Sequence, residues 1–333
     1  MGEPIHVVFC ADRRVLPGLH VAAYSVVANH QDSSSPVHVH VFSDDLNAAD
    51  VSLLDETLRG AGRNYLLEFH SVATSDFSKF PSMSGSWGAY FRLLVPQMIP
   101  AERIIYLDVD TICYLDVSDF MALDLGNHPA SFVAETTINA TPDRSLAEHL
   151  PQYGDKPYLN SGVMVVNRKL WQNRQVTGRC LEFLEKVTVD RHEQSALNYV
   201  LLDDWQLLDP RFNFICNWRN NWPCLCDESK LMGKLIHFLD SPKPWDFLGE
   251  WMHPQYRLWR SVLDKTAMKH FRSWHATPSR KVPKTRNAWI GYKKTLKDRL
   301  LFLGYSRGWL KNVKGVSDEK QKAENRNGES NGQ

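Results

Sequence analysis

Short apolar runs alternate along this chain with longer stretches that are apolar at every third or fourth position. The run His6-Val-Val-Phe-Cys10 has the pattern of a buried strand, and Leu19, Ala22, Ala23, Val26 and Val27 then fall on one side of a helix. Val37 to Phe42 repeats the strand pattern, Val51 to Leu58 the helical one, and Tyr65 to Phe69 gives a third strand. Strand, helix, strand, helix, strand predicts a parallel sheet with right-handed crossovers. Ser84 to Leu94 reads as a capped helix with Arg92 on its inner side, leading into a central strand, Ile104 to Leu107. Phe132 to Ala134 is a short strand that ends at Glu135, and Tyr158 to Asn167 is a longer one. Residues 168–202 read as helical, Trp205 to Leu208 and Arg211 to Phe214 as extended pieces, and Lys234 to Phe238 as a last strand. The predicted class is α/β, with a mainly parallel sheet flanked by helices.

Composition narrows the class. A chain of 333 residues with 43% hydrophobic content can bury one large core, which excludes disorder for most of its length. No run approaches the ~20 apolar residues of a membrane span. The opening MGEPIHVVFCADRR lacks the basic segment and long apolar stretch of a signal peptide, so a cytoplasmic location is expected. Six cysteines are scattered mostly among apolar neighbours, the pattern of buried free thiols. Cys224 and Cys226 lie near Cys216 but lack a second pair at zinc-site spacing.

The net charge of +1 hides an asymmetry. Residues 1–268 hold 23 Lys and Arg against 33 Asp and Glu, whereas residues 269–314 hold 13 against one. Three parts are expected: a catalytic domain over 1–250, a basic aromatic extension over 251–314, and a polar, disordered tail over 315–333. The extension interleaves Trp251, Tyr256, Trp259, Trp274, Trp289, Tyr292 and Trp309 with Lys and Arg. Such a surface suits a sugar acceptor or anionic membrane headgroups, and the segment 295–310 equally suits a helix packed on the domain. No nucleic-acid recognition motif is present.

The central strand ends in Asp108-Val109-Asp110. Residues two apart on extended backbone share a face, so both carboxylates are expected to converge, with Val109 packed behind. Converging carboxylates repel unless a cation sits between them, and oxygen ligands suit Mg²⁺ or Mn²⁺. The same residues also suit a solvated acidic turn. Asn160, Ser161 and Gly162 place small and amide groups where a sugar can approach backbone closely.

Taken in order, VVFCAD, Ala89-Tyr-Phe-Arg92, YLDVDTI, LNSGVMVVN and HFLDSPKPW resemble glycosyltransferase family 8, across residues 6–245. The resemblance implies a GT-A fold, a Rossmann-like mixed and mainly parallel sheet. It implies a hexosyltransferase that moves glucose or galactose, with retention, from UDP-glucose or UDP-galactose to a glycan or glycolipid acceptor. The implied setting is lipopolysaccharide or cell-surface polysaccharide synthesis, with possible peripheral contact at the inner face of the membrane. Mn²⁺, or Mg²⁺ in its place, would be held by Asp108, Asp110 and His237, with Lys243 on the β-phosphate. Cys10, Ala11 and Asp12 would cradle uracil, and Val109 would line the donor site. Arg13, Arg14 and Val15 follow Asp12 where the family commonly has Asp-Asn-Tyr, so the stacking aromatic is missing; Arg14 would stack in its place or meet a ribose or phosphate oxygen, and equally suits an exposed surface arginine. Arg92 would contact the donor sugar and diphosphate or orient Asp108 by a salt bridge. Asn160 and Ser161 would contact the sugar, Gln194 would face the reaction, Glu193 stands where aspartate is frequent, and Glu135 matches an acidic strand end. Gln194 is an amide and a poor nucleophile, which favours same-face substitution; Glu193 and Glu135 are the alternatives for a double displacement. A glycogenin-like transferase, a metal-dependent phosphohydrolase and a non-catalytic nucleotide-sugar-binding module are the competing functions.

Overall fold

The computed structural model describes residues 2–83, 85–216, 228–239, 243–247, 249–253 and 255–273, with the isolated positions 293, 296, 297 and 300. Cys224, Cys226, Trp274, Trp289, Tyr292, Trp309, most of 295–310 and the tail 315–333 lie outside the described residues.

The first five elements follow the apolar pattern: strand β1 (Ile5–Cys10), helix α1 (Leu16–Asn29), β2 (Val37–Ser43), helix α2 (Ala48–Arg59) and β3 (Tyr65–Ser71). Asn47 caps α2 by accepting from the Ala49 and Asp50 amides, while the Asp50 side chain returns a bond to the Asn47 amide. Odd-numbered residues of the strands, among them Val7, Phe9, Val39 and Val41, pack against Leu19, Ala22, Val26, Leu54 and Leu58 of the two helices. The opposite face is covered near Val8, Cys10 and Phe42 by Phe77, Phe80, Tyr90 and Phe91.

The main sheet continues with β4 (Arg103–Leu107), β6 (Ala130–Thr137), β7 (Pro157–Asn167) and β8 (Gln206–Leu207), in the order β3-β2-β1-β4-β7-β6-β8. Six strands run one way, and β7 runs against both its neighbours. A second sheet of β5 (Thr111–Cys113), β10 (Leu235–His237) and β9 (Phe214–Ile215) lies beyond β4. The sequence pattern does not disclose this sheet, because its strands have only two or three residues.

Two local expectations are corrected. Instead of a capped helix from Ser84, Gly88–Leu93 forms a 3₁₀ helix with no side-chain cap at Trp87. The stretch Arg211–Phe214 is a 3₁₀ turn, Pro210–Asn213, that leads into β9. Residues 168–202 divide into helices Arg168–Asn173, Val176–Lys186 and His192–Leu201.

Beyond residue 250, the helix Tyr256–Leu263 buries Leu258, Trp259, Val262 and Leu263 in one cluster with Val21 of α1 and Trp245. Cys10, Cys113 and Cys180 are buried free thiols, as expected, and Cys216 is buried. No helix among the described residues is long and apolar enough to cross a membrane.

Candidate active site

The site lies past the carboxyl ends of β1 and β4, which pair in parallel through Val7 with Ile105 and Val8 with Tyr106. Asp108 and Asp110 do not continue the strand. The chain leaves the main sheet at Leu107, turns through 108–110 and enters β5 at Thr111. Strand alternation is therefore not what brings the two acids together. The turn is held by three bonds: Asp108 N to Gly162 O at 2.7 Å, Thr111 Oγ1 to Asp108 O at 2.7 Å, and Phe238 N to Asp110 O at 2.9 Å. Val109 is buried behind the turn, as expected.

The antiparallel pairing of β5 with β10 sets His237 opposite Thr111. His237 Nε2 then stands 3.2 Å from Asp110 Oδ1 and 3.9 Å from Asp108 Oδ2. One donor atom from each of the three residues lies within 4.8 Å of the others. Lys243 Nζ is 2.6 Å from Asp110 Oδ2 and 2.5 Å from the Phe238 carbonyl oxygen. Burial alone would raise the pKa of Asp110, but the charges of Lys243 and His237 outweigh it and hold the carboxyl well below its ordinary range.

Two carboxylates and an imidazole fit a divalent cation of the Mg²⁺–Mn²⁺ kind. Asp110 Oδ1 is buried, with the His237 ring nitrogen 3.2 Å away as its polar neighbour. A buried carboxylate oxygen with so few partners is costly, and a cation would relieve that cost. Gly162 keeps the space open: a Cβ there would stand 2.3 Å from His237 Cε1 and 2.8 Å from Asp108 Oδ2.

Gly162 and Ser161 lie where β7 slips out of register with β6, between the pairs Ser131–Val165 and Val133–Asn160. Such an irregularity re-aims the side chains it carries. Arg92, 5% exposed, reaches across to it, with Nη1 donating to Ser161 O at 2.7 Å and Oγ at 2.9 Å. Its Nη2 pairs with Asp108 Oδ1 at 2.9 Å, so the orienting salt bridge exists. Tyr106 donates to the same oxygen at 2.6 Å.

His192, in the left-handed region at φ 50°, opens the helix that carries Glu193 and Gln194. Gln194 Oε1 accepts from Ser161 N at 3.0 Å and Ser161 Oγ at 3.1 Å, and its Nε2 donates to Tyr158 at 3.2 Å. Glu193 is buried 3.4 Å from Arg92 Nε; burial raises its pKa against the pull of Arg92. Glu135 accepts from Asn160 Nδ2 at 3.0 Å.

Asp12 caps the turn Arg13–Val15 through Arg14 N at 2.8 Å and pairs with the Arg14 guanidinium. Burial works to raise the Asp12 pKa, but the bonds from Arg14 prevail and lower it. Ala11 N bonds to Phe42 O at 3.0 Å. The Cys10 thiol is buried and its pKa pushed up, so it serves as a wall and not as a nucleophile.

Asn213 escapes sequence reasoning. Its Oδ1 lies 2.9 Å from His237 Nδ1 and its Nδ2 donates to Asn160 Oδ1 at 2.8 Å, so it joins the acid–imidazole trio to the Asn160 side. A polar residue between Phe212 and Phe214, in an otherwise aromatic stretch, was the available signal.

This architecture is that of the GT-A glycosyltransferases. The galactosyltransferase LgtC, solved with donor and acceptor sugar analogues, matches with a TM-score of 0.64 at 22% identity, covering 79% of this chain and 96% of that one. The apo structure of the bifunctional glycosyltransferase WbbM matches at 0.65 and 17% identity, covering 81% of this chain and 51% of that one. The chain belongs to glycosyltransferase family 8: the family model "Glycosyl transferase family 8" matches residues 6–249. General stress protein A of Bacillus subtilis (strain 168) is 26% identical over 78% of this chain and 96% of its own. The lipopolysaccharide 1,2-glucosyltransferase of Escherichia coli (strain K12) is 25% identical over 80% of each.

Proposed function

We propose that this protein is a retaining, metal-dependent hexosyltransferase that moves glucose or galactose from a UDP-sugar to a glycan or glycolipid acceptor. The observation that carries this reading is the convergence of Asp108, Asp110 and His237 beside Lys243, facing the polar wall of Asn160, Ser161 and Gln194. Asp108, Asp110 and His237 would hold Mn²⁺ or Mg²⁺, which supplies Lewis-acid stabilisation of charge on the leaving diphosphate. Lys243 adds a fixed positive charge next to Asp110, suited to the β-phosphate. Cys10, Ala11, Asp12 and Arg14 line the end of β1 and form the uracil side, with Val109 beneath. Arg92 is spent on Asp108 and Ser161, so its part is to position them, and any sugar contact passes through Ser161.

Retention requires either a nucleophilic carboxylate or attack on the face that the leaving group vacates. Gln194 stands fixed by Ser161 and Tyr158 as a neutral dipole. Glu193 is turned into the interior toward Arg92, and Glu135 is bound to Asn160. The same-face route fits this disposition: the departing phosphate oxygen takes the acceptor proton while Gln194 steadies the positive sugar. The relatives named for lipopolysaccharide support an acceptor of that class.

The test is UDP release from UDP-glucose and UDP-galactose, with and without Mn²⁺, alongside UDP binding. Release with one sugar, dependent on metal and about 100-fold or more lower in Asp110→Asn, is expected. UDP binding that ignores the metal, or no UDP binding at all, overturns the reading.

A further inference from the structure

The bare half of the main sheet carries chemistry that sugar transfer leaves unused. On the face turned away from α1 and α2, the even-numbered positions of β1, β2 and β3 include His6, His38, His40, Glu68 and His70. Parallel pairing sets His6 beside His38, His40 beside Glu68, and Phe42 beside His70. His40 is 2% exposed at the base of the group, and Glu68 is half-exposed at the rim.

Three side chains face a common point. His40 Nδ1 is 3.0 Å from His70 Nε2 and 3.5 Å from Glu68 Oε2, and His70 Nε2 is 3.8 Å from Glu68 Oε1. Ligands of a tetrahedral ion with bonds near 2.1 Å stand about 3.4 Å apart. The other nitrogen of His40, Nε2, lies 2.9 Å from His6 Nδ1. A metal-bound imidazole commonly donates its second N–H to a partner that fixes its tautomer, and His6 is placed to accept that bond. His38 Nε2 lies 3.2 Å from the same carboxylate oxygen, Glu68 Oε2, and helps orient it.

We propose that His40, His70 and Glu68 form a second metal site, separate from the Asp108–Asp110–His237 trio, that takes a borderline transition-metal dication of the zinc class. Two imidazoles and one carboxylate select such an ion over Mg²⁺ or Ca²⁺, whereas the oxygen-richer trio suits the harder ions. Burial lowers the pKa of all four histidines, most strongly that of His40, to about 3. Neighbouring histidines lower it further at His40, while Glu68 works in the opposite sense at His6, His38 and His70.

Zn²⁺ binding to the full chain, measured by equilibrium dialysis, tests the site. It is run in the Asp110→Asn background so that the catalytic trio does not report. One Zn²⁺ per chain is expected to remain in that background, and Glu68→Gln or His70→Gln on top of it is expected to weaken binding about 100-fold. Both side chains reach solvent, and neither belongs to the transferase site. In the otherwise unchanged chain, each variant should keep Mn²⁺-dependent UDP release. Co²⁺ bound in place of Zn²⁺ should show the visible bands of a tetrahedral nitrogen–oxygen site. No Zn²⁺ bound in the Asp110→Asn background, or affinities within about threefold of each other across the variants, overturns the proposal and leaves the histidines as a hydrogen-bonded ladder.

Discussion

Gly162 touches both halves of the site, and its lack of a side chain is the reason it can. Its carbonyl fixes Asp108, its amide donates to Asn160 Oδ1 at 3.0 Å, and its Cα faces His237. Gly162→Ala would place a methyl 2.3 Å from the His237 ring and 3.0 Å from Asn160 Oδ1. The strands on either side are buried and well paired, so the fold should survive while the trio is pushed apart. A displacement of that order costs about 100-fold in turnover. The check is kcat for UDP release beside the thermal midpoint; unchanged turnover would show that His237 and Asp108 need not stand where they do. At this scale the sequence already pointed to Gly162 as the small residue, through the Asn-Ser-Gly run. It did not disclose Asn213: the polar residue between two phenylalanines is a weak local mark, and its two partner side chains are distant along the chain.

Among the elements, α1 connects the site to the rest of the molecule. Gly18 lies within this helix, where glycine costs about 0.5–1 kcal/mol relative to alanine. The reason is proximity: a Cβ there would meet Trp245 at 2.6 Å and the Val109 carbonyl oxygen at 2.8 Å. Trp245 follows the Lys243 segment and packs in turn near Trp259, with ring centroids 6.0 Å apart. The helix Tyr256–Leu263 thus backs the wall that carries Lys243. Trp259 is 1% exposed, and Trp259→Ala should cost about 3–5 kcal/mol of stability in urea unfolding. A cost under about 1 kcal/mol would show that this helix is dispensable to the core. Element types were legible where the apolar spacing runs long, as in α1 and α2. The strands β5 and β9 were not, since a strand of two or three residues carries no period.

For the molecule as a whole, buried neutral histidines set a response to acid. Burial lowers the pKa of His20 to about 4 and of His253 to about 3, against an ordinary value of 6.5. A depressed histidine pKa means that the unfolded chain binds the extra proton first. The stability these groups contribute is therefore complete above pH 6.5 and is lost as the pH falls through that value toward 4 and 3. Each histidine contributes a slope of up to about 1.4 kcal/mol per pH unit in that window. Urea unfolding at pH 7, 6 and 5 should show stability falling with pH, and a flat profile would mean that these rings take up protons without unfolding. His20 also ties distant parts together: its Nδ1 meets Thr57 Oγ1 of α2 at 2.6 Å, and that oxygen accepts from Ala267 N at 3.0 Å.

The sequence alone determined the βαβ beginning, the buried thiols and the five segments that carry family 8, because each of these is local: a period, a neighbourhood, or a short ordered run. It also named the acids, the histidine and the polar strand-end residues that meet at the site, though not Asn213. How they meet was decided only in three dimensions. Asp108 and Asp110 converge through a turn between two sheets, His237 arrives by antiparallel pairing with β5, and Ser161 and Gly162 are aimed by a slip in register against β6. The histidine face is of the same kind. His6, His38, His40 and His70 look unremarkable on three separate strands, and only parallel register brings them to one surface. Pairing register is a contact between segments far apart along the chain, and no local pattern encodes it.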